Sequence, residues 1–153
     1  MIYNDSKDST ENLNNKKNDN KDKDLDLSLR LIQDELSGIY ITILGYIILG
    51  EAAKEARNAI LLNKEGIGSV LNNSARDALL ANKIILIGIT LLTDVAFSRL
   101  KQQENNFNPS DSSLDLSGIS DIYTGYAINV IAEAYKVIGS NKIFNSLQDI
   151  DIE

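Results

Sequence analysis

The chain has 153 residues, enough for one domain with its own core, and 43% of them are hydrophobic. It holds no cysteine and no histidine. That excludes disulfides, thiolate metal sites and the commonest general base and transition-metal ligand; carboxylate-only sites for Mg²⁺ or Ca²⁺ stay open, and no cofactor or metal is expected. The formal net charge is −7, of which residues 1–24 carry −1 (five Lys against six Asp/Glu) and the rest −6. An acidic body disfavours non-specific binding to nucleic acid or to anionic lipid. A basic protein partner is allowed.

Residues 1–24 are mostly Asn, Asp, Lys and Ser, with almost nothing to bury. Such a composition cannot offset its ordering entropy, so a disordered polar tail is expected. The segment has no apolar h-region, which points to a cytoplasmic protein. The heavy use of Asn, Ile and Lys suggests AT-rich coding and hence a bacterial or phage source.

From residue 25 onward the pattern is helical. Leu25, Leu29, Ile32, Leu36, Ile39, Ile43 and Tyr46 alternate steps of four and three, one continuous helical face. The first helix is expected over about 25–63, with Asn63, Gly66 and Gly68 supplying the break. A second is expected over about 69–104, capped at Ser69 or Ser74 and carrying Ala75, Leu79, Asn82, Leu86, Ile89, Thr93, Ala96 and Leu100. The stretch 105–110 contains Asn-Pro at Asn108 and Pro109 and reads as a loop. A third helix is expected over about 113–139, ended by Gly139 and Ser140, with a short helical piece around Ile143, Phe144 and Leu147. The expected fold is therefore all-α, a bundle of three long helices in a single domain over 25–153.

Phosphate-binding glycine loops, EF-hand loops and nucleophile elbows are missing from the sequence. The most informative pattern is instead a set of small residues. Gly38, Gly45, Ala52 and Ala59 are spaced by seven, and so are Gly118, Gly125, Ala132 and Gly139. Ser74, Ala81 and Gly88 follow the same spacing. Seven residues is nearly two turns, so each set lies along one narrow stripe. Residues 36–52 and 116–132 share eight identities at an offset of 80, which suggests a duplication or one packing solution used twice.

Each glycine inside a helix costs about 1 kcal/mol relative to alanine, so Gly38, Gly45, Gly118 and Gly125 together forgo roughly 4 kcal/mol. Close helix–helix approach is the expected compensation. The stripes could face each other within one chain, face another subunit, or line a ligand cleft. The matched pair on helices one and three makes those two helices the expected close neighbours, within one chain or between chains.

Residues 39–50 and 84–92 are strongly apolar but shorter than the ~20 residues that span a bilayer. A buried helix is therefore expected over a membrane span. Both runs are apolar around the whole helix, more than three helices alone can cover, so self-association is expected. Among the polar residues inside apolar stretches, Asn82 and Asn129 are expected to satisfy each other, and Asp94 to face solvent or pair with Arg99. Tyr40, Tyr46, Tyr123, Tyr126 and Tyr135 are expected to pack mainly in the core. Glu51, Glu55 and Glu133 could approach as carboxylates, but no ExxH spacing accompanies them.

These readings favour a non-enzymatic structural or interaction protein forming a homo-oligomer through small-residue helix faces. A small acidic inhibitor or immunity-type protein binding one partner is the first alternative. A membrane-associated helical protein is the second.

Overall fold

The computed structural model describes the backbone over three helices and the side-chain surroundings of residues 23–61, 70–106 and 116–148. The fold is all-helical: α1 spans Asp5–Leu61, α2 Ile67–Asn106 and α3 Leu116–Ile150, with no strand among the described residues. Contacts divide the chain into two units, Met1–Gln33 and Asp34–Glu153. In the first, described from Lys23, Leu25, Leu27, Leu29 and Ile32 are exposed and Leu31 is buried. The side chains of residues 1–22, and with them nearly all of the expected disordered tail, lie outside the described residues. The loop expected at 105–110 also lies outside them from residue 107 onward.

One helix bound differs from the sequence reading. α3 does not stop at Gly139 and Ser140 but runs in one piece to Ile150, absorbing the expected C-terminal fragment. One contact accounts for the continuation. Asn82 Nδ2 donates a 2.6 Å hydrogen bond to Ser140 Oγ, tying α2 to α3 at the point where a stop was expected. Such a bond contributes about 1 kcal/mol, comparable with the cost of a glycine inside a helix.

In the second unit α2 carries the core. Leu79, Ala81, Ile85, Ile89, Leu92, Val95 and Ala96 are all buried, recurring at helical spacing. Ile85, Ile89 and Leu92 form the central cluster, with Leu49 of α1 and Tyr126 and Val130 of α3 packed against it. The three helices thus share one thin core.

Candidate interaction surface

α1 and α2 meet along their small-residue stripes, and they meet closely. A Cβ at Gly38 would lie 2.9 Å from Leu92 Cγ and 3.1 Å from the Gly88 carbonyl oxygen. A Cβ at Gly45 would lie 2.5 Å from Ile85 Cγ1 and 3.0 Å from the Ala81 carbonyl oxygen. A Cβ at Gly88 would meet the Gly38 carbonyl oxygen and the Thr42 nitrogen, both at 2.8 Å, and the Thr42 hydroxyl. Thr42 Oγ1 is held there by donating to the Gly38 carbonyl at 2.8 Å. Ala52, Ala59, Ser74 and Ala81 continue the buried stripe on both helices. Here the glycines are needed because backbone meets backbone.

The register has an arithmetic signature. Gly38 faces Gly88 and Gly45 faces Ala81, and the residue numbers of each facing pair total 126. Ala52 and Ser74 fit the same total. A constant total is what an antiparallel pair requires, and it stands in the sequence.

Within the chain, α1 and α3 do not pack stripe to stripe. A Cβ placed at Gly118, Gly125 or Gly139 meets nothing within 4 Å, and Gly118, Gly125 and Ala132 are exposed. α1 has turned its stripe to α2, its antiparallel neighbour across a short connection. That leaves the α3 stripe without a counterpart among the described residues. α3 instead reaches α2 through larger groups. Phe97 and Tyr123 stack with ring centroids 5.5 Å apart, and Asn82 bonds Ser140. Asn82 therefore does not pair with Asn129, which is exposed, because the α2–α3 register puts Ser140 opposite it.

Of the two expectations for Asp94 the first holds: it is exposed, and Arg99 pairs instead with Glu35 through two hydrogen bonds of 2.5 and 3.4 Å. Glu51 pairs with Lys54 at the surface, 3.3 Å away. Glu133 is only 2% exposed; its Oε1 accepts from Lys136 Nζ at 2.6 Å and its Oε2 has no hydrogen-bond partner. The hydrogen bond to Glu133 holds the Lys136 pKa above its usual value against some loss from burial, with a further contribution from Tyr46. No cluster of three or more metal-ligating side chains occurs among the described residues.

A continuous apolar surface is left uncovered on α1. Leu36, Ile39, Ile43 and Tyr46, the second half of the four–three alternation, are all exposed, Ile43 by 49%. Tyr40, Leu44 and Ile47 widen that face, so two of the five tyrosines expected mainly in the core lie here instead. Tyr135 is exposed on α3, while Tyr123 and Tyr126 are half-buried. A scan of protein-family models, a search of curated proteins and a search of solved structures return no match.

Proposed function

We propose that the chain is a non-enzymatic helical interaction protein that self-associates through the outer face of α1. The observation that carries this reading is the run Leu36, Ile39, Tyr40, Ile43, Tyr46 and Ile47, exposed together on one helix. A patch of this size and continuity on a single helix is unfavourable in water. Its occupant is a second copy. A four–three alternation of Leu and Ile is the pattern of a helix seam that packs against its own like, knob into hole. No charged residue interrupts 36–50, so two copies of an acidic chain can bring this face together without opposing like charges. The small-residue stripes of α1 and α2 are already spent inside the chain, which moves the interface away from Gly38, Gly45, Ala81 and Gly88.

A lipid-facing reading has one observation in its favour: Lys23–Leu61 and Val70–Asn106 are long and apolar enough to cross a membrane by length and composition. The charges weigh against it. In the register that sets Gly45 opposite Ala81, the exposed Lys83 lies alongside the middle of the 36–50 run. Asp94 is exposed further along α2. Charged side chains at bilayer depth cost roughly 2.5–3.5 kcal/mol each on insertion scales.

Light scattering on the purified chain without detergent tests the proposal. A mass above 16.9 kDa that falls to 16.9 kDa in the double variant Ile39→Glu, Ile43→Glu supports it. A 16.9 kDa wild type, or recovery only in detergent, overturns it.

A further inference from the structure

A cavity of ≈ 300 Å³ opens between the C-terminal part of α1, the N-terminal part of α2 and the C-terminal part of α3. Its walls are built mainly of small side chains: Ala52, Ala53 and Ala56 from α1, and Ala75 and Ala78 from α2. Ile143 and Leu147 of α3 close one side. No charged side chain lines it. One polar group does, Ser74, which is 5% exposed and whose Oγ has no hydrogen-bond partner.

A buried hydroxyl without a partner costs free energy that a hydrogen bond from an occupant would recover. The surrounding alanines leave room that no side chain of the described residues takes up. We propose that this cavity binds a neutral, chain-like apolar molecule carrying one hydroxyl group, with Ser74 Oγ as its hydrogen-bond partner. An apolar cavity of about 150 Å³ accommodates benzene, so this one suits an occupant of about a dozen heavy atoms. An anionic head group finds no cation in the walls. Lys54 and Arg76, on the same helices as the alanine walls, are exposed and paired with Glu51 and Asp77. The site is independent of the α1 outer face, and the cavity reading stands or falls without the self-association reading.

The probe is 1-decanol, compared with decane and decanoate, read by the unfolding midpoint of the full chain at fixed protein concentration. 1-Decanol raises the midpoint of the wild type, and decanoate raises it less. Ala78→Leu fills the cavity and removes the shift, and Ala56→Leu serves the same purpose from α1 should the first variant fail to fold. Ser74→Ala weakens decanol roughly two- to tenfold, toward the affinity of decane, the loss of one hydrogen bond. The double variant Ile39→Glu, Ile43→Glu keeps the decanol shift. No shift in the wild type overturns the proposal, and so does an equal shift in the cavity-filling variants. Loss of the shift in the α1 double variant also overturns it, because binding would then lie on the outer face.

Discussion

The stripes of α1 and α3 carry the same sequence pattern and live in opposite surroundings. Gly38 and Gly45 lie against α2 backbone, where a single added methyl has no room. Gly118 and Gly125, their counterparts at the offset of 80, face open space. A seven-residue repeat of small side chains therefore specifies a face of a helix but not what that face meets. The partner is decided by connectivity. Few residues separate α1 from α2 in the sequence, so the two are antiparallel neighbours and their stripes match at Gly38 with Gly88 and Gly45 with Ala81. α3, joining later, packs through Tyr123, Tyr126, Val130 and Ser140 and leaves its stripe outward.

The contrast can be broken by substitution, and the largest effect is expected at Gly45. Gly45→Leu places a side chain where Ile85 and the Ala81 carbonyl already sit, and should cost about 3 kcal/mol or more in chemical denaturation. A loss under about 1 kcal/mol would mean that α1 and α2 are not closely apposed. Gly88→Ala is a finer probe. The added methyl would meet Thr42 and the Gly38 carbonyl, so a loss of about 1–3 kcal/mol is expected despite the better helix propensity of alanine. On α3 the sign reverses. Gly118→Ala and Gly125→Ala meet nothing, and each should stabilise by up to about 1 kcal/mol. Destabilisation at Gly125 that deepens with protein concentration would place the α3 stripe in an interface between copies.

The smallest effect concerns the charged pair on α3. The Lys136 pKa is raised in the folded chain, chiefly by the hydrogen bond to Glu133. A lysine raised on folding contributes stability fully present below its unfolded pKa and lost as pH rises through the folded one. The stability difference between wild type and Lys136→Met should therefore hold constant through neutral pH and shrink above about 10.4, the unperturbed lysine value. A difference that instead grew with alkaline pH would contradict the Glu133–Lys136 contact. Lys136 is half-exposed, so the contribution is modest.

Much of the fold is legible in the sequence. The four–three alternation of α1 and the stripes on all three helices follow from spacing alone. Other features depend on tertiary context. Gly139 and Ser140 read as a helix end because local signals cannot see Asn82 on another helix. Asn82 and Asn129 read as a pair because residue type suggests it, while register gives Asn82 to Ser140. The tyrosines read as core, yet Tyr40, Tyr46 and Tyr135 are exposed, since three helices cannot enclose all that these sequences make apolar. That excess is itself legible, and it leads to the outer face of α1.

The most direct test of the account is the mass of the full chain in detergent-free solution, measured by light scattering beside the double variant Ile39→Glu, Ile43→Glu. The account predicts an assembly of more than one 16.9 kDa chain for the wild type, and a single helical chain of 16.9 kDa for the variant. A wild type that stays at 16.9 kDa across concentrations, or a variant that keeps the wild-type mass, would contradict it.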